Sequence, residues 1–189
     1  MKKNTKVNAA ILIIGNEILS GRTQDTNTST LATWLNSIGV KVTEVRVVPD
    51  IEKNIIETLN FLRINNDYVF TTGGIGPTHD DITAQSVAKA FGLDYEIHKE
   101  AFKILEAYYK QGEFNEGRQK MVWMPRNAKL ILNPTSGAPG FYVENVFCLP
   151  GVPSILKSML GSLKDKIVGG KPIISHTISL RTVESEIAN

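Results

Sequence analysis

The sequence predicts an α/β protein with a parallel sheet covered by helices on both faces. Two observations carry the prediction. Strand-like and helix-like runs alternate through the first half of the chain, and Thr71 to Thr83, carrying Gly73, Gly74, Gly76 and Pro77, joins one of those strands to a helix.

Ala9 to Ile14 is continuously apolar, as befits a strand buried on both faces. Lys2, Lys3 and Lys6 precede it in weak imitation of a signal peptide. The run is too short for one, however, and passes into Gly15-Asn16-Glu17 without a small-residue cleavage site. Thr28 to Ile38 follows as a helix, with Leu31, Leu35 and Ile38 at helical spacing and Gly39 ending it. Val40 to Val48 is the next strand, and Ile51 to Ile64 a second helix with Ile55, Leu59 and Leu62 on one face. Tyr68 to Thr72 is the third strand, and Ile82 to Phe91 the helix beyond the glycine loop.

The middle is less regular. Glu100 to Gln111 reads as a helix, Gly112 to Gly117 as a break, and Arg118 to Met124 as a helical turn stopped by Pro125. Lys129 to Leu132 is a short strand. Phe141 to Val143 and Val146 to Leu149 form a hairpin about Glu144-Asn145, and Ser154 to Ile167 is a final helix. Gly169-Gly170-Lys171-Pro172 marks a boundary, so residues 1–170 are expected to form one domain. Residues 171–189, with a strand from Ile173 to Leu180 and the start of a helix at Glu184, are expected to begin a further, incomplete segment of a longer protein.

Composition narrows the function. The 189 residues are 42% hydrophobic and 21% charged, ordinary for a globular protein with a substantial core. A net charge of +2 without a dense Lys/Arg run gives no expectation of a nucleic-acid partner. No segment is long and apolar enough to span a membrane, and a cytoplasmic location is expected. The single cysteine, Cys148, excludes an intramolecular disulfide and a cysteine-based metal cluster; within Val146 to Leu149 it reads as a core residue.

The chemistry gathers in loops that a doubly wound sheet brings to the carboxyl ends of its strands. These are Gly15 to Gly21 leading to Thr26-Asn27-Thr28, then Pro49-Asp50, then the glycine loop. A fourth, Asn133 to Gly140, is backed by Leu149 to Pro153. A strand-to-helix junction offers free N–H groups and a positive helix end, which suits a phosphate. Asp80 and Asp81 would repel that phosphate unless a cation bridges them or the ligand brings donors and hydroxyls. Asp81 can cap the helix that follows, worth about 1 kcal/mol, but Asp80 cannot cap it too, which leaves one carboxylate for a cation or ligand. Asp50 is equally suited to capping and to ligand contact. Asn27 and Thr28 suit capping slightly better, Glu17 a ligand or metal, and His79 a place beside the site. Nicotinamide chemistry is excluded, because Gly74-x-Gly76 has His79 where a dinucleotide fingerprint needs its third glycine. No GxxxxGK[ST] or GxSxG motif occurs, and His79, His98 and His176 are too scattered to form a metal motif.

These spaced motifs together resemble the molybdopterin-binding (MoCF-type) domain family, most closely its CinA-type branch, from about Ala9 to Ile167. The resemblance implies a three-layer α/β/α sandwich with a mostly parallel sheet. It also implies a phosphorylated pterin- or nucleotide-like ligand such as molybdopterin. CinA-type domains are linked to hydrolysis of the ADP-ribose pyrophosphate bond with a divalent metal, Mg²⁺ or Co²⁺, and relatives form dimers or trimers. Carried onto this sequence, Asp50 and Asp81 are the functional aspartates, and Asp80 and Asp81 the expected metal carboxylates. Gly73, Gly74 and Gly76 match the phosphate-contacting glycines, with Pro77 and Thr83 beside them. Asn133, Ser136, Gly137, Ala138, Pro139 and Gly140 match the second ligand-facing loop, backed by Pro150 and Gly151. Gly15, Glu17 and Asn27 belong to the first loop, and Arg118 falls at a basic motif whose neighbours Glu116-Gly117 depart from the family form. The alternative is a non-catalytic cofactor-binding or regulatory module.

Overall fold

The computed structural model describes residues 6–172. The strand and helix expected within 173–189 lie outside the described residues.

β1 (Val7–Ile14) is an interior strand of the main sheet. Ala10, Leu12 and Ile14 face one layer of helices, and Ala9, Ile11 and Ile13 face the other. A strand buried on both faces carries no polar alternation, which is why this run is continuously apolar. β2 (Val40–Val48) and β3 (Tyr68–Thr72) pair parallel on its two sides. β8 (Val146–Leu149) pairs parallel with β3. β7 (Gly140–Val143) and β6 (Lys129–Ile131) close the sheet antiparallel, giving the order β2-β1-β3-β8-β7-β6. The hairpin between β7 and β8 turns at Glu144, which takes a φ of 49°.

One layer holds α3 (Glu52–Asn65), α4 (Thr83–Phe91) and α5 (Lys99–Tyr108), packed through Ile55, Leu59, Leu62, Val87 and Leu105. The other holds α2 (Asn27–Ser37) and α7 (Pro153–Met159), through Leu31, Leu35, Leu156 and Met159. On that second face Phe70, Phe147 and Tyr142 stack with centroids 5.2 and 4.9 Å apart. The predicted three-layer sandwich with a mostly parallel sheet is what the chain forms.

Several elements differ from the sequence reading. Asn16–Leu19 forms a one-turn helix, α1, where a plain loop was expected. The expected turn at Arg118 to Met124 is α6 (Glu116–Gln119) followed by a 3₁₀ turn, and Trp123–Pro125 is a strand, β5. β5 pairs antiparallel with β4 (Tyr95–Ile97) in a two-stranded ribbon beyond the main sheet. The last helix tightens after Met159 into 3₁₀ geometry over Leu160–Lys166. Cys148 is wholly buried, and burial pushes its thiol up to about 12, so it is a core residue with little thiolate character. Among the described residues no helix is long and apolar enough to cross a membrane.

Candidate functional site

The four parallel strands, β2, β1, β3 and β8, end side by side, and their ends are tied in pairs. Gly15 N–H donates to Val48 carbonyl at 3.2 Å, and Gly73 N–H to Leu149 carbonyl at 3.1 Å. The loops that follow enclose a cleft of about 520 Å³, within the range of small-ligand pockets. Glu17 of the first loop meets Gly73, Gly74, Gly76, Pro77 and Asp81 of the glycine loop there. Asn133, Ser136, Ala138 and Pro139 come from the fourth loop, and Pro150 and Gly151 from the end of β8. The sequence did not point to Met121 and Ile155, which with Ile75, Val152 and the prolines make the walls apolar.

The glycine loop is held open by its own hydroxyls. Thr83, wholly buried, donates its hydroxyl to Gly73 carbonyl at 2.9 Å and its N–H to Gly74 carbonyl at 2.9 Å. Thr83 is therefore a clip beneath the loop, a correction to its expected ligand contact. Gly74, Ile75 and Gly76 line the cleft, and their N–H groups donate to no backbone carbonyl among the described residues. Those three amides are left available to an acceptor.

Neither aspartate caps α4, whose cap position is Ile82 without a side-chain bond. Asp81 instead accepts from Thr78 N–H at 2.8 Å and from the Thr78 hydroxyl at 2.5 Å. The same hydroxyl lies 2.6 Å from Asp80, and this hydrogen bond, first among its causes, holds the Asp80 carboxyl below its ordinary range. One hydroxyl carries one hydrogen, so at any moment one of the two carboxylate oxygens is left without it. Two carboxylates presented this way fit a hard divalent cation that completes its shell with water and ligand phosphate oxygens. Among the described residues no group of three or more His, Cys, Asp or Glu side chains is placed to hold a metal ion. Any such cation would therefore depend on the ligand for part of its coordination.

Asp50 does not cap α3, whose cap residue is Ile51. Its carboxylate crosses between loops to accept from Asn16 N–H at 2.8 Å, and it is not among the residues lining the cleft. Burial pushes its carboxyl up. The Asn16 bond opposes that rise, and the Glu17 and Asp80 carboxylates add to it. An acid whose folded pKa is raised contributes most to stability while protonated, and that contribution is lost as pH rises through the raised value. Asp50→Asn keeps an oxygen for Asn16 N–H and removes the charge. Thermal melts are expected to show Asp50→Asn at least as stable as the unmodified protein at pH 7, with the difference shrinking toward pH 4. A variant clearly less stable at pH 7 would contradict this.

Other expected residues also make contacts within the scaffold. Asn27 begins α2 but does not cap it; the cap position is Thr26, without a side-chain bond, and Asp25 just before it accepts from Asn27 N–H at 2.9 Å and Thr28 N–H at 3.3 Å. Asn133 lines the cleft but spends its amide on its own loop, accepting from Thr135 and Ser136 N–H and donating to Ser136 hydroxyl and Ala138 carbonyl. Gly15 is buried under the Glu17 carboxylate, Gly140 lies against Cys148 carbonyl, and Gly137, at φ 72°, packs on the Tyr108 ring. Arg118 is turned away, stacked over Tyr109 at 4.4 Å and donating to Glu113 carbonyl at 2.6 Å. The cation that reaches the glycine loop is Lys120, whose ammonium donates to Thr78 carbonyl. On this turn Arg118 and Lys120 point about 200° apart, so only one can face the loop.

Comparison with known proteins identifies the fold. The family model described as "Probable molybdopterin binding domain" matches residues 10–170. A CinA-like protein of Geotalea uraniireducens is 40% identical over 157 residues, covering 80% of this chain and 37% of its own length. This chain therefore spans little more than a third of that relative. The crystal structure of the protein CinA, of unknown function, from Thermoplasma acidophilum superposes with a TM-score of 0.80 at 34% identity, covering 87% of this chain and 99% of that one. The molybdopterin biosynthesis enzyme MoaB from Thermus thermophilus shares the fold, with a TM-score of 0.57 at 19% identity over 83% of this chain and 89% of that one. The chain belongs to the molybdopterin-binding domain family, in its CinA-type branch.

Proposed function

We propose that the cleft binds a phosphorylated pterin- or nucleotide-like ligand of the molybdopterin type and, with a divalent cation, hydrolyses a pyrophosphate bond such as that of ADP-ribose. One observation carries the binding: an apolar cleft of about 520 Å³ is lined by Gly74, Ile75, Gly76 and Asp81 of the glycine loop. The amides receive the phosphate, and the apolar walls receive a flat ring. Lys120, held on Thr78 carbonyl, takes the charge-neutralising part that the sequence assigned to Arg118.

Asp80 and Asp81 would hold Mg²⁺ or Co²⁺ together with ligand phosphate oxygens; such an ion polarises the phosphoryl oxygens and makes bound water more acidic. Water attacks one phosphorus of the bridge, the P–O bond to the bridging oxygen breaks, and that oxygen leaves with its electron pair on the other phosphate. Incubation with ADP-ribose and Mg²⁺ or Co²⁺ is expected to yield AMP and ribose 5-phosphate. Stoichiometric binding of ADP-ribose or a pterin phosphate without product under every metal would favour the non-catalytic module. Absence of binding to either would refute the proposal.

A further inference from the structure

β2 stands at one end of the sheet, so among the described residues only β1 pairs with it. An edge strand offers a row of free N–H and C=O groups to another chain. At nine residues β2 is also the longest described strand. Its neighbours on β1 show which layer each side chain faces. Val45 and Val47 stand beside Ile11 and Ile13, on the α2–α7 face, and are 42% and 38% exposed. Glu44 and Arg46 stand beside Ala10 and Leu12, on the α3 face. There the Arg46 guanidinium lies 4.3 Å from the centre of the Phe61 ring, itself half exposed. Apolar surface therefore flanks this edge on both faces of the sheet.

Charges on an edge strand ordinarily deter pairing. Here they select one register. Residues directly opposite each other in an antiparallel pair share a face, so two copies of β2 meet about a residue and not about a peptide bond. Centring on Glu44 sets Glu44 against its own copy, and centring on Arg46 does the same with Arg46; both oppose like charges. Centring on Val45 sets Glu44 against the partner's Arg46 and Arg46 against the partner's Glu44. Within one chain Arg46 Nε already lies 2.5 Å from Glu44 Oε1, so the two copies assemble four charges of alternating sign. The irregularity in the pairing with Ala9 and Ala10 leaves Thr43 as an extra residue. It ends regular pairing just before Glu44 and so restricts slippage of the register.

We propose that β2 is a docking edge for a second copy of this chain, the two sheets joining antiparallel about Val45 in an isologous dimer. The strand is complementary to itself in charge in that register alone, and Val45, Val47 and Phe61 supply the apolar surface on either side.

The test is made on the whole chain. Cys148 is wholly buried, so a cysteine added on β2 is the thiol free to cross-link. Val45→Cys is expected to give a disulfide-linked dimer on mild oxidation, because directly opposite Cα atoms lie about 4.5–5.5 Å apart, within disulfide reach. Val47→Cys, on the same face, is expected to give none, since its two copies stand four residues apart along the strand, about 13 Å. Sedimentation of the unmodified protein is expected to show a dimer. Arg46→Glu, which opposes acids on both sides of Val45, is expected to sediment as a monomer with an unchanged circular dichroism spectrum. Adding Glu44→Arg to it reverses both charges and is expected to restore the dimer. A monomeric unmodified protein, the result if another segment or another protein covers the edge, would overturn the proposal. Equal cross-linking of Val45→Cys and Val47→Cys, or a double variant that stays monomeric, would overturn it too.

Discussion

Gly73→Ala is expected to destabilise the protein by at least about 3 kcal/mol and to lower Tm by roughly 6–12 °C. Gly73 sits at φ 100°, a conformation that costs an alanine about 1–2 kcal/mol. The added Cβ would also overlap the carbonyl oxygen of Ile14, at the end of the buried central strand. Neither partner can move cheaply. Gly73 N–H is tied to Leu149, its carbonyl to Thr83, and Ile14 lies in the core. Gly21 is the control. It has a similar positive φ of 72° with nothing within 4 Å of an added Cβ, so Gly21→Ala is expected to lose only about 1 kcal/mol. Equal melting of the two variants would show that the Gly73 crossing is not tight.

Asp81→Asn is expected to leave the fold intact, within about 1 kcal/mol by thermal melt, and to reduce Mg²⁺-supported affinity for ADP-ribose by at least tenfold. The retained amide oxygen still accepts from Thr78 N–H, so the loop keeps its shape. What disappears is the charge that offsets a divalent cation. Any product formed from ADP-ribose is expected to fall below detection in the same variant. Undiminished turnover would remove Asp81 from the proposed chemistry.

The sheet was largely legible because its central strands are apolar on both faces and its helices carry one apolar stripe. The β4–β5 ribbon was not. Tyr95–Ile97 and Trp123–Pro125 are three residues each and pair only in the folded chain, so Pro125, the end of a strand, read as the stop of a helix. The glycine loop was legible because three glycines and two adjacent carboxylates are rare together. The partners that give those groups their roles were not. The Thr83 hydroxyl under Gly73 and the Asp50–Asn16 bond across loops depend on tertiary placement, which no local spacing encodes. Arg118 and Lys120 show the same limit, since a helical turn says that two basic residues diverge but not which one meets the loop.

The most direct test of a phosphate held through a cation at Asp81 is calorimetric titration of pyrophosphate, with and without Mg²⁺, into the unmodified protein and Asp81→Asn. Without metal the carboxylate repels the ligand, so Asp81→Asn is expected to bind about two- to fivefold more tightly, an electrostatic relief of about 0.5–1 kcal/mol. With Mg²⁺ the order is expected to reverse, the unmodified protein gaining at least tenfold and the variant little. An unmodified protein indifferent to Mg²⁺, or a variant that gains as much from it, would contradict the account.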